Sequence, residues 1–581
     1  MQTELLKSEL SYTENHEEIK NDEAIEVIKN LESENKLAVN GTLSKKKDEP
    51  TKTEKKKENP VKIVMEKISQ FGSFFSDPLK NRYILIHKSD HNELYKIWSS
   101  NFIEFIVHFS YKTLDKLILS KNMIIQIVDT FKAEAMDNDI VNDLSLRVAT
   151  KSGKIFYDLC NAIWQHVEIN KEWWQICSGG EPLFRRGQQS LPQVAPKSNW
   201  DPWKLFEFLN VPEKDRLLVL VYVISLFFEN IAHPIAVVHG SMGSAKSTFG
   251  KILKKLIDPA MPITLSMPKD MNELSRYMNQ FWFLIFDNLS VISEECSDAL
   301  CRAVTWEGAI RRKLFTDDEN VVFDYRRWFC LNWINIASTR SDIMDRSILI
   351  EMERIPTDKR KTEKELYTDF ETELPKILWW MFDIISKTLS IIPTVKLDEH
   401  FRMADFTELG YAISIALWYE WSDFINAYKE NIEEQNDIVI ENDAVASMII
   451  KLMDAEEKFK WAWSEWKWSP TDLLLRLTDL LGEHNGDRYF PKTPSMLTRR
   501  IKPILVNLKE LGIETKFNKD TDWIRGRFIS IRKLSSEFMK KQDNPNWQQI
   551  LDVSWVKDEI CATWDSWDSQ YCKYSEEEIP F

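Results

Sequence analysis

The sequence predicts an α/β protein whose middle third is a parallel strand–helix core. Three observations carry this. Between 201 and 390, short apolar runs alternate with longer helical patterns, the strand candidates being 235–239, 281–287, 328–333 and 347–353. A glycine-rich turn, "GSMGSAKST" (240–248), stands between the first of these runs and a helical pattern. The 581 residues are 43% hydrophobic and 12% aromatic, enough to bury the core of roughly three or four domains.

Residues 1–60 lack Phe, Trp and Cys and hold runs such as "TEKKKENP", so they are expected to be a disordered charged tail. Residues 61–200 read as a mixed α/β region, with a hairpin in "LSLRVATKSGKIFYDLC" turning at Ser152-Gly153. The core follows at 201–390, then a helical region at 391–465. Residues 466–535 read as a winged-helix-like unit: Ser469 caps and Pro470 opens a helix through Leu481, a second helical stretch starts or breaks near Pro503, and "TDWIRGRFISIRK" is the candidate wing. Residues 536–581 form an acidic, Trp-rich segment without clear periodicity.

The net charge of −15 leaves no overall attraction to nucleic acid, so any such surface is local. The seven cysteines form no CxxC pair, which argues against zinc and for a reducing compartment. The longest apolar run, 217–228, is too short to span a bilayer, and the N-terminus shows no signal-peptide pattern. A soluble cytoplasmic protein is expected, without membrane contact.

In the turn, Gly240 and Gly243 allow main-chain amides to point inward at an anion. Lys246 supplies a point charge for phosphates and Ser247 a hydroxyl for Mg²⁺. The helix that follows aims its positive end at the same place. The expected cradle is Gly240, Ser241, Met242, Gly243, Ser244, Ala245, Lys246, Ser247 and Thr248, holding ATP with Mg²⁺. It follows GxxxxGK[ST] except that Ala245 stands where glycine is usual. A Mg²⁺ partner is expected at Asp287, 41 residues after Lys246, where six apolar residues end. Asn288 occupies the place where most ATPases put a glutamate; it is expected to orient water without acting as a base, with Glu294, Glu295 or Asp298 as alternatives that could assist. Asn332, at the strand end within "RRWFCLNWIN", is placed to hold water or the γ-phosphate. Arg346, 14 residues later, could reach the γ-phosphate of a neighbouring subunit. Between them "IRRKLFTDDENVVFDYRR" reads as a hairpin whose Arg311, Arg312 and Lys313 either track a DNA backbone or form a solvated basic edge. From 491 to 535 there are 11 Lys and Arg against 4 Asp and Glu, so Arg499, Arg500 and Lys502 belong either to a DNA-binding face or to a protein-docking module.

The ordered set "GSMGSAKST", "LIFDNLS", "SDALCRAVT", "RRKLFTDDE", "LNWIN" and "STRSDIMDRSILIEMERI" resembles the ATP-binding helicase or primase-helicase proteins of phages, plasmids and integrated elements, related to superfamily 3 within AAA+. The resemblance covers most of 80–535. It implies an AAA+ P-loop core, a hexameric ring, single-stranded DNA as partner, and Lys246, Ser247, Asp287, Asn332 and Arg346 in ATP binding, Mg²⁺ binding, sensing and the arginine finger. "TWEGAI" departs from the glycine-rich turn common in that family. No paired-carboxylate strand motif of a primase-polymerase is present, so priming would fall to a separate protein. The function expected is that of an ATP-dependent DNA helicase or translocase in mobile-element replication. The alternatives are a non-translocating loader or regulator, and a degenerate nucleotide-binding module.

Overall fold

The computed structural model describes residues 59–534, apart from 115, 199–200, 306–308, 313–319, 324–325, 334–340, 357, 359, 398–400, 458–465, 482–489 and 520–526. The expected charged tail, all but its last two residues, and the acidic Trp-rich segment lie outside the described residues.

The chain begins with α1 (Pro60–Ser69) and an antiparallel sheet of β1 (Gly72–Ser76), β2 (Arg82–His87) and β3 (Asn92–Lys96). Two further helices, α2 (Ser100–Thr113) and α3 (Lys121–Asp137), pack with α1 on it around Val64, Ile84, Phe102 and Phe131. Each helix starts where a serine accepts from a first-turn amide, Ser99 from Phe102 and Ser120 from Met123. A short parallel pair follows, β4 (Leu144–Ser145) with β9 (Leu183–Phe184). Between these two in sequence runs an antiparallel meander of β5 (Val148–Lys151), β6 (Lys154–Asp158), β7 (Gln165–Ile169) and β8 (Trp174–Ser178). The expected hairpin is β5–β6, and both turn residues, Ser152 and Gly153, have positive φ as a two-residue hairpin requires.

The apolar run at 217–228 forms α4 (Arg216–Ser225), whose residues from Leu217 onward are all buried. Among the described residues no helix is long and apolar enough to cross a membrane. Four parallel strands make the central sheet: β10 (Ile235–Gly240), β11 (Phe283–Leu289), β14 (Trp328–Trp333) and β15 (Ser347–Met352), in the order β11-β14-β10-β15. Each is apolar along nearly its whole length because both faces are covered. Ala236, Val238, Ile285, Cys330 and Ile350 face one layer, which holds α4, α5 (Lys246–Ile257), α9 (Glu363–Ile391) and α10 (Ala404–Ala416). Val237, Leu284, Leu331 and Leu349 face the other, built by α6 (Met271–Gln280) and α7 (Glu294–Thr305). Between α7 and β14 stands the expected hairpin, β12 (Ala309–Arg312) with β13 (Asn320–Phe323), and α8 (Ser341–Met344) precedes β15.

The free edge of β15 is closed by side chains of α11 (Trp421–Asn442). Asn431 both accepts from the Leu349 amide and donates to its carbonyl, and Gln435 donates to the Ser347 carbonyl. That satisfies an edge that would otherwise offer a pairing template. The C-terminal unit comprises α12 (Ala444–Glu457), α13 (Pro470–Leu481), α14 (Pro494–Ile501) and α15 (Leu505–Glu510). An antiparallel sheet, β16 (Trp466–Trp468), β18 (Arg527–Lys533) and β17 (Ile513–Lys519) in that order, completes it. Its core, around Ile449, Leu473, Leu497 and Ile529, is separate from the N-terminal core and from the two layers on the central sheet. Ser469 accepts from the Asp472 amide and opens α13 as the sequence suggests, while Pro503 breaks the second helical stretch, a 3₁₀ turn over Lys502–Ile504 parting α14 from α15.

Candidate nucleotide site

The turn after β10 sits at the carboxyl edge of the sheet with a strand paired on each side, the position where open α/β sheets bind ligands. Its backbone is unusual at three places. Gly240 has φ of 137° and a Cβ there would lie 2.2 Å from the Met352 carbonyl oxygen, so no side chain fits. Gly243 has φ of 81°. Ala245, which caps α5, lies in the left-handed region with φ 66° and ψ 29°. The departure from the usual glycine therefore falls at a position that favours glycine, and the alanine there is strained by roughly 1–2 kcal/mol.

Lys246 opens α5 and turns back on the loop, donating to the carbonyls of Gly240 at 2.7 Å and Ser241 at 3.1 Å. Ser247 donates to Asp287 Oδ1 at 3.1 Å. Asn332 lies between them, its amide donating to Ser247 Oγ at 3.2 Å and to Asp287 Oδ1. Three elements thus deliver a hydroxyl, a carboxylate and an amide to one spot beside the turn. Val238 of β10 pairs in register with Asn332, which is buried.

A bulge sets the acidic side chain. Phe286 pairs with Leu331 and Leu289 with Trp333, so Asp287 and Asn288 together face the single residue Asn332. Asn288 takes up the extra residue with φ of 59° and an exposed side chain, and its amide donates to Asp287 Oδ1 at 2.9 Å. Asparagine tolerates the left-handed region better than glutamate, which is a structural reason for its presence here. The bulge has no signature in "FWFLIFDNLS". Just before the turn, burial together with the Lys246 and Lys214 charges holds His239 below the ordinary histidine range, against the pull of Glu351.

Arg346 is not brought to this spot. Its carbonyl accepts from the Ile235 amide, at the amino end of β10. The turn is at the other end of that strand, about 20 Å away at 3.3 Å per residue. Its Nη1 donates to the Asp342 carbonyl at 3.0 Å. The backbone of Arg311 and Arg312 lies on β12, paired with Val321 and Asn320, and Lys313 lies outside the described residues. Arg499 and Arg500 end α14, where Arg500 forms an ion pair with Asp443 at 3.3 Å, and Lys502 begins the 3₁₀ turn.

Two polar residues at the turn escaped the sequence reading. Asn210 donates to the carbonyls of Ser244 at 3.1 Å and Glu353 at 2.6 Å, tying the turn to the loop after β15. Arg360, in that loop, lies against Gly243. Neither belongs to a motif, and their proximity to the turn is a product of tertiary structure.

A three-layer α/β protein with a polar cluster at a glycine-rich turn is the class that fold and site define. Residues 204–437 match the family described as the Actinomycete integrative conjugative element replication protein, and residues 445–546 match the AICE RepA C-terminal domain. The first match spans the core and the helices after it, the second the C-terminal unit, and both models describe a replication protein of a mobile element. Among solved structures, the chain is similar to the apo form of the NrS-1 C-terminal region at 12% identity and a TM-score of 0.37, covering 83% of this chain and 100% of that one. It is also similar to SCCmec type IV Cch, described as an active helicase, at 12% identity and a TM-score of 0.40, covering 81% of this chain and 94% of that one. No curated protein matches the chain.

Proposed function

We propose that the protein is an ATP-hydrolysing replication motor of a mobile element, with an AAA+-type P-loop core. It would work as a ring of copies on single-stranded DNA. The observation that carries this reading is the mutual bonding of Ser247, Asp287 and Asn332 beside the turn that holds Lys246. The residues fit the group expected there. A hydroxyl and a carboxylate are hard oxygen ligands suited to Mg²⁺, and both stand within hydrogen-bond reach of each other beside the turn. Mg²⁺, when bound, neutralises phosphate charge.

In this reading the turn amides and Lys246 hold the phosphates of ATP. Ser247 and Asp287 hold the metal. Asn332 orients the attacking water, and Asn288 keeps Asp287 in place through its main-chain amide. Arg346 serves the site of the neighbouring copy. The C-terminal unit acts as a winged helix whose Arg499, Arg500 and Lys502, with the β12–β13 hairpin residues Arg311, Arg312 and Lys313, meet DNA. A separate primase would supply primers.

The test is ATP turnover by the purified protein with and without single-stranded DNA, beside Lys246→Ala. Turnover stimulated by DNA and abolished in the variant is expected. Turnover in Lys246→Ala equal to the parent would sink the site assignment. Turnover indifferent to DNA, without strand displacement, would instead favour an ATP-driven loader, and binding without turnover a degenerate module.

A further inference from the structure

We infer that Arg360 is a phosphate-binding residue of the same site, acting in its own chain; this rests on the nucleotide reading above. The loop after β15 is fastened to the turn. The Ile355 amide donates to the Gly243 carbonyl at 3.4 Å, and Asn210 bridges Ser244 and Glu353. Beyond Arg360, Thr362 caps α9 in a box with Glu365, and Glu363 pairs with Lys251 of α5 at 3.1 Å. The backbone on both sides of Arg360 is therefore held to the turn and its helix.

That anchoring delivers a guanidinium to the turn. Arg360 Nε donates to the Ile355 carbonyl at 3.2 Å, which sets the plane of the group. Nη2 then lies 3.2 Å from where a Cβ on Gly243 would stand, which puts the guanidinium directly against the turn. Arg360 is exposed and enters no ion pair among the described residues. An arginine fork with a fixed plane, whose Nη atoms donate to none of the described residues, beside main-chain amides of a glycine-rich turn, suits a polyphosphate better than a single carboxylate. Lys246 supplies a point charge from inside the turn, and Arg360 a planar one from outside it.

The experiment measures equilibrium binding of ADP and ATP to the full chain, to Arg360→Ala, to Arg360→Lys and to Lys246→Ala, at low and moderate salt. Arg360→Ala is expected to bind both nucleotides about tenfold more weakly, a typical loss for one charged hydrogen bond. Arg360→Lys is expected to lose less, and the salt dependence of ATP binding is expected to flatten in Arg360→Ala. Equal losses in the Ala and Lys variants with unchanged salt dependence would mean that Arg360 only braces the loop, and would overturn the assignment, as would losses below twofold. Unchanged binding in Lys246→Ala, or no binding by the parent, would overturn the underlying nucleotide site as well, so the two failures are told apart.

Discussion

At the scale of single residues, Ala245 and Asn288 are the two departures from the usual ATPase pattern, and both have positive φ. They differ in consequence. Asn288 suits its conformation, whereas Ala245 is strained by a Cβ that glycine lacks. Ala245→Gly should therefore stabilise the protein by about 0.5–1 kcal/mol, after allowing for the greater freedom of glycine in the unfolded chain. Urea unfolding of the two proteins side by side would show it, and a less stable Ala245→Gly would contradict the strain. Both positions were conspicuous as departures from a motif in the sequence; that they share a left-handed backbone was not, because φ is set by the bulge and the cap rather than by residue type alone.

At the scale of elements, a buried charge network joins three parts of the chain. Arg147, just before β5, donates to Asp258 Oδ1 at 3.2 Å and to the Pro259 carbonyl at 2.9 Å. Lys254, one turn from the end of α5, donates to Asp258 Oδ2 at 2.7 Å, and the Trp282 and Phe283 amides donate to the same oxygen at 3.0 and 3.1 Å. Burial works to raise the Asp258 carboxyl, but the Lys254 and Arg147 charges and the hydrogen bonds outweigh it and hold it below the ordinary carboxylate value. A depressed carboxylate contributes stability that is present above its unfolded value, near 3.9, and is lost as pH falls through its folded value. The parent should accordingly lose stability below about pH 4. Asp258→Asn, which strands two buried cations, should lose about 3–5 kcal/mol at pH 7, read by chemical unfolding. A loss below 1 kcal/mol would show that the network is not held together by charge. In the sequence Asp258-Pro259 reads only as a helix stop. The four core strands were legible because burial on both faces makes them apolar, and the cap of α13 because Ser469-Pro470 is a local signal. The Arg147–Asp258 pair, the closure of the β15 edge by Asn431 and Gln435, and the approach of Arg360 are contacts across 82 to 117 positions of sequence, which no local pattern records.

At the scale of the whole molecule, the placement of Arg346 bears on whether a neighbouring copy would complete the proposed site. It is held at the amino end of β10 and the turn at the carboxyl end, so within one chain the two cannot meet. If Arg346 stabilises the leaving phosphate, it does so for a neighbour, and such arginines contribute about 10³ to 10⁵ in rate. Arg346→Ala should then lower turnover far more than ATP affinity. Mixing Arg346→Ala with Lys246→Ala should restore part of the activity that each lacks alone, because some interfaces pair an intact lysine with an intact arginine. No recovery in assemblies shown to be mixed would defeat the shared site. The network around Asp258 bears on a different question, that of where this protein can be divided. Tyr157 of β6 packs its ring against Phe227 and Phe382, and Arg147 supplies one of the two cations of Asp258. A fragment beginning at residue 201, where the strand–helix core was expected to start, would be cut through the middle of a hydrophobic interior and would leave a buried carboxylate short of a counter-charge; the meander before it is built into the core rather than appended to it.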